Sequence, residues 1–273
     1  MKQNFYNNNY NDPYGGYQNN DYSQYSRNTY DGYSYDGSSA ITLAEFSKRV
    51  YLWMFAGLAI TFAVGFILLS NPAILISLLS QNSGLFTIVA LVEVALVFVL
   101  GFFVYKLPSA ACLVIFFIYS ILNGLVIAPT LLMCSVSFGS EGELLFNPMP
   151  VFGAFAATAC VFGAMSLYGM ITKRNLSGLG TILFFGLLGL IGYSAVSFLF
   201  QVPMSDLIIS LITIALFIGF TAYDTQKIKR VYSQRCGDQE LLKRSSVVVA
   251  LELYLDFINL FLAILNLFFK NRN

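Results

Sequence analysis

Histidine is absent from this chain of 273 residues, and charge is scarce, with Asp, Glu, Lys and Arg making up 11% of it. The first absence removes the commonest general base and metal ligand. The second, beside 57% hydrophobic residues and a mean hydropathy of +0.70, indicates an integral membrane protein rather than a soluble domain with a core. With a net charge of +1, no uniformly basic character points to nucleic acid. Cysteine is thin as well. Cys112, Cys134, Cys160 and Cys236 are scattered without a C-x-x-C pair, three of them in apolar segments, so they read as small packing residues and neither a disulfide framework nor a zinc site is expected. The first forty residues hold no apolar core, so no cleavable signal peptide is expected.

What is present divides in two. Met1 to Ser39 is built from Tyr, Asn, Gly, Asp and Ser with almost no aliphatic residues, and such a stretch buries too little surface to offset its ordering entropy. Residues 1–44 are therefore expected to be a disordered cytoplasmic tail, and 45–273 a transmembrane domain. Seven apolar segments follow, at about 51–69, 86–105, 109–133, 150–171, 178–201, 207–226 and 247–269, each near the ~20 residues that a spanning helix needs. Asn71-Pro72, Leu107-Pro108, Pro148, Lys173-Arg174-Asn175 and Pro203 mark breaks between them, whereas Pro129, inside the third, predicts a kink rather than an end.

Basic residues alternate between connections. Lys48 and Arg49 precede the first segment, Lys106 follows the second, Lys173 and Arg174 the fourth, and a run from Lys227 to Arg244 the sixth; only Lys270 and Arg272 oppose the pattern. Because such residues favour the cytoplasmic side, the N-terminus is expected there and the C-terminus on the opposite face.

Four acids fall within the apolar segments. Glu252 and Asp256 are four apart and share one helix face, which continues through Asn259, Ala263 and Asn266. Carboxylates facing lipid are costly, so this stripe should look toward other helices or a water-filled cavity. Asp224 closes the sixth segment near its cytoplasmic end. If the seventh helix begins at Val247, Asp256 lies about 14 Å along it and roughly two turns deeper than Asp224, a gap that tilt or a different helix start must close for the two to meet. Glu93, in the outer half of the second segment, suits a hydrogen bond between helices as well as a place on an ion path.

Several stretches together resemble the transmembrane Bax inhibitor motif family. They are Asn123-Gly124-Leu125 with Ala128-Pro129, the run from Thr158 through Phe162-Gly163-Ala164 to Tyr168-Gly169, Thr172 to Gly180, Tyr223-Asp224-Thr225-Gln226-Lys227-Ile228, and Leu253-Tyr254-Leu255-Asp256-Phe257-Ile258-Asn259. The resemblance implies an all-α membrane fold of seven transmembrane helices, six surrounding a central C-terminal helix. It also implies a pH-sensitive calcium leak that in larger cells tempers cell death, controlled by an acid pair matching Asp224 and Asp256. Glu252, Glu93 and Asn259 remain candidates for the ion path, and no catalytic residue, cofactor or resident metal is expected.

Acids held close in a medium of low dielectric cannot all ionise, so a pair is expected to share a proton near neutral pH. Calcium needs six to eight oxygens, more than two side chains supply without water and carbonyls, so an ion there is held weakly enough to leave. Two other classes stay open. One is a non-conducting regulator that binds membrane proteases or cell-death proteins. The other is an intramembrane aspartyl protease, disfavoured because Asp256 sits in Leu-Tyr-Leu-Asp-Phe without the Gly-x-Gly that lets a substrate backbone approach. Expected partners are membrane lipid, calcium and protons, with no nucleic acid.

Overall fold

The computed structural model describes residues 41–273 apart from 82–83, 104–105, 139–143, 201–205 and 271–273, so the tail expected at 1–44 lies almost wholly outside the described residues. Eight helices are seen among these residues: α1 (Leu43–Ser70), α2 (Pro72–Gln81), α3 (Leu85–Phe103), α4 (Ser109–Ser135), α5 (Met149–Ile171), α6 (Ser177–Phe200), α7 (Asp206–Arg235) and α8 (Gln239–Lys270). All but α2 are long and apolar enough to cross a bilayer, giving the seven spans that the apolar segments predict. Two features escaped the sequence reading. Helix α2, ten residues long, follows the Asn71-Pro72 break, and β1 (Val136–Phe138) pairs antiparallel with β2 (Leu144–Phe146) in the connection between α4 and α5.

Local chemistry sets several ends. Helix α1 opens on a capping box in which the Thr42 hydroxyl accepts from Glu45 N at 3.2 Å and the Glu45 carboxylate accepts from Thr42 N at 3.1 Å. It stops at Asn71, the residue before Pro72. Helix α4 continues through Pro129, as neighbouring helices permit within a membrane bundle.

Helix α8 is the core element. Within its apolar stretch 72% of residues are buried, against 17% for α3 and 11% for α6. Helices α7, α1, α5 and α4 pack on it directly, whereas α3 joins the bundle mainly through α4 and α6 through α7. Large apolar side chains on the thinly covered helices, such as Leu91, Phe98 and Phe102 on α3 and Ile182 and Phe185 on α6, point outward. So broad an apolar exterior is tolerable only against lipid. Close helix crossings depend on missing side chains: a Cβ on Gly124 of α4 would stand 2.7 Å from Thr61 O of α1, and one on Gly169 of α5 would collide with Ala222 O of α7.

The basic connections meet at one end of the bundle. Ile41 N donates to Gln239 Oε1 at 3.0 Å and Tyr232 Oη donates to Ile41 O at 3.1 Å, fastening the start of α1 to the α7–α8 turn. Ser109 N donates to Glu240 Oε1 at 3.2 Å, bringing the start of α4 to the same place. Gln226 completes the set, accepting from Leu176 N at 2.8 Å and donating to Arg174 O at 2.7 Å, which binds the α5–α6 connection to α7.

Candidate functional site

The site grows from the register of α7 against α8. Both helices continue well past their apolar stretches, α7 to Arg235 and α8 back to Gln239, with the turn at 236–238. Arg235 bonds to Ser245 Oγ, Lys227 Nζ meets Glu252 Oε1 at 2.7 Å, and the carboxyl groups of Asp224 and Asp256 lie within hydrogen-bonding reach of each other. Going up α7 matches going down α8, as in any antiparallel pair. The two-turn depth gap expected from a helix starting at Val247 is therefore absent, because α8 starts eight residues earlier and both helices extend beyond the apolar runs.

Asp224 and Asp256 are 7% and 4% exposed. An ionised carboxylate only accepts hydrogen bonds, so contact between two of them requires a proton on one. The second Asp256 oxygen, Oδ2, is buried with no hydrogen-bond partner in the protein. Helix α5 holds the backbone that carries Asp224. A relay runs from Tyr51 Oη to Ser166 Oγ at 2.7 Å and on to Thr225 Oγ1 at 3.0 Å, while Gly169 admits Ala222 O and Lys229 donates to Met170 O. A crevice of about 480 Å³ between α6, α7 and α8 reaches Asp224, Lys227 and Glu252 past Ser177, Gly180 and Tyr223.

Of the other residues singled out in the sequence, Glu252 joins this site through Lys227, but Asn259 does not. Its Nδ2 donates to Leu255 O at 2.8 Å, within its own helix. The polar stripe is also not the most enclosed side of α8: Glu252 and Asn259 are half-buried and Asn266 is exposed, because the four packed helices cover the remaining circumference more completely. Glu93 belongs to a separate cluster. Its side chain reaches Asn123, whose Oδ1 accepts from Tyr254 Oη at 3.1 Å; Tyr254 Oη also lies 2.6 Å from Thr61 Oγ1, which donates to Ser120 O at 2.8 Å. One polar chain thus links α3, α4, α8 and α1.

Sequence reasoning missed Lys227, Tyr254 and Thr61. Lys227 is three residues past Asp224, one helical turn, and that spacing was a usable signal that its role in setting orientation concealed. Nothing marks Thr61 before its neighbours are known. Among the described residues, no group of three or more Cys, Asp or Glu converges as a metal centre.

Seven apolar spans and a buried C-terminal helix define an integral, multi-pass membrane protein. Residues 43–273 match the model of the family described as inhibitor of apoptosis-promoting Bax1, and the chain belongs to this Bax inhibitor-like family. It is 36% identical over 231 residues to the inner membrane protein YbhL of Escherichia coli K12, covering 84% of this chain and 93% of YbhL. Similar relatives include an uncharacterised protein of Deinococcus radiodurans, 36% identical over 81% of this chain and 89% of that one, and one of Borreliella burgdorferi, 31% identical over 84% and 93%.

Proposed function

We propose that the protein is a pH-sensitive cation leak, with calcium as the ion carried and Asp224 and Asp256 as the gate. The observation that carries this reading is the contact of two buried carboxyl groups on neighbouring antiparallel helices, one of them reached by the crevice between α6, α7 and α8. With one shared proton, the pair ties α7 to α8. Loss of that proton leaves two like charges in a poorly screened interior; they repel, loosen the seam and attract cations. Both effects act in one sense, so flux rises as pH rises through release of the proton. Two side chains leave most of a calcium ion's coordination to water and carbonyls, which favours passage over retention. No enzymatic step, cofactor or resident metal is part of this reading, and the partners are lipid, protons and the ion.

The basic end of the bundle, where Lys48, Lys106, Arg174 and the α7–α8 turn gather, is assigned to the cytoplasm by the preference of basic residues for that side. A second reading, a non-conducting regulator of membrane proteases or cell-death proteins, draws on the description of the family as inhibitor of apoptosis-promoting Bax1. Calcium flux into liposomes holding only the purified protein, measured across a pH series, separates the two. Flux that rises with pH is expected; correctly inserted protein that passes no cation at any pH sinks the leak and leaves the regulator.

A further inference from the structure

A second cavity, of about 210 Å³, lies between α7 and α8 where Gly101 of α3 approaches, and extends to Arg235 and Ser245 at the basic end of the bundle. The residues it shares with the larger crevice are Lys227 and Glu252. Their ion pair, at 2.7 Å, is therefore the partition between a cavity open toward the α7–α8 turn and the crevice that reaches Asp224. Each side chain is about 30% exposed, at 29% and 30%, so the partition is made by flexible groups bordering space rather than by packed backbone.

Charge makes this arrangement unusual. Asp224, Asp256 and Glu252 are clustered, with Asp256 Oδ2 and Glu252 Oε2 both buried and lacking a protein partner, and the cation facing all three is the Lys227 ammonium. Tyr223 also borders the crevice, and Arg235 at the far end of the smaller cavity is bonded to Ser245. An ammonium is a compact point charge on a stem of four carbons, able to leave one oxygen and swing aside.

We propose that Lys227 is a tethered competitor of the transported cation: its ammonium occupies the place on Glu252 that a divalent ion takes when passing between the two cavities. Resting on the leak reading, this adds the residue that sets ion affinity at the partition. Removing the ammonium frees a carboxylate and deletes a repulsive charge, while keeping it as a guanidinium leaves the block in place.

The test measures terbium(III) or calcium binding to purified protein in detergent, together with calcium flux in liposomes, for wild type, Lys227→Gln and Lys227→Arg. Lys227→Gln should bind the cation about tenfold or more tightly and conduct at correspondingly lower calcium, whereas Lys227→Arg stays within about twofold of wild type. Tighter binding by Lys227→Gln without flux in any protein would sink the leak and keep the competitor. Wild-type flux with unchanged or weaker binding in Lys227→Gln would overturn the competitor and keep the leak. Should Lys227→Gln fail to insert, Lys227→Met, which likewise removes the ammonium, replaces it in the test: about tenfold tighter binding is expected, and unchanged or weaker binding overturns the proposal.

Discussion

Two polar clusters hang on opposite faces of the same helix. On α8, Glu252 and Asp256 face α7, whereas Tyr254, about half a turn round, faces α1 and α4. The first cluster is dominated by charge: three acids and one lysine, with oxygens lacking partners. The second is mostly neutral, a hydrogen-bonded chain from Asn123 through Tyr254 and Thr61 to Ser120 O, with Glu93 at its end and one buried oxygen, Glu93 Oε1, lacking a partner there as well. Burial differs with the chemistry: Lys227 and Glu252 border the crevice, whereas Tyr254, Thr61 and Ser120 are fully enclosed. Neutral groups that satisfy one another fix helix positions, while buried acids short of partners leave an arrangement that a proton or a cation can change.

The largest expected effect breaks the charged side. Asp224→Asn and Asp256→Asn keep shape and hydrogen-bonding capacity but cannot ionise, so each should insert while losing most of the pH dependence of calcium flux. If the two acids share one proton, the double variant should differ from either single one by much less than the sum of the two effects. Full additivity would show two independent acids. Glu252→Gln should alter ion affinity more than the pH midpoint, and a pH response abolished by it alone would move the gate to Glu252.

Next comes the neutral side. Gly124→Ala puts a Cβ 2.7 Å from Thr61 O and 2.8 Å from Val64 Cβ, forcing α4 from α1 and pulling Thr61 from Tyr254. A loss of about 1–3 kcal/mol is expected in equilibrium unfolding from mixed micelles. Tyr254→Phe keeps the ring contacts with Phe116 and Tyr119 but removes the hydroxyl, costing about 1 kcal/mol in the same assay with the pH profile of flux unchanged. A flattened profile in Tyr254→Phe would show that the two clusters act as one. The smallest effect belongs to Asn259→Ala: its amide bonds only its own helix, so stability should stay within about 0.5 kcal/mol and flux should be unaltered. A marked loss of flux would return Asn259 to the ion path.

The acids of the candidate site were legible because carboxylates are so costly in hydrocarbon that their presence alone makes them candidates. Asp224, Asp256, Glu252 and Glu93 stood out for that reason, and each is found against other helices rather than out toward lipid. Helix ends were less legible. The apolar stretches at 207–226 and 247–269 report where lipid contact is favourable, but α7 and α8 continue beyond them as polar helices held by backbone hydrogen bonds. That extension erased the apparent depth difference between Asp224 and Asp256. Asn259 lies on the face of those acids, and only the structure shows that its amide donates within its own helix, to Leu255 O.

By itself, the sequence determined the seven crossings, the alternation of basic connections and the identity of the buried acids, because length, hydropathy and charge are local properties that the bilayer tests segment by segment. Which acid meets which partner was decided only by tertiary structure. The pairing of Asp224 with Asp256 and of Lys227 with Glu252, and the separate attachment of Glu93 to Asn123, depend on the register and rotation of one helix against another. Those are set by side chains distant in sequence, such as the Gly169 contact with Ala222 and the fastening of α7 by Gln226, whose effect exists only once the helices have packed.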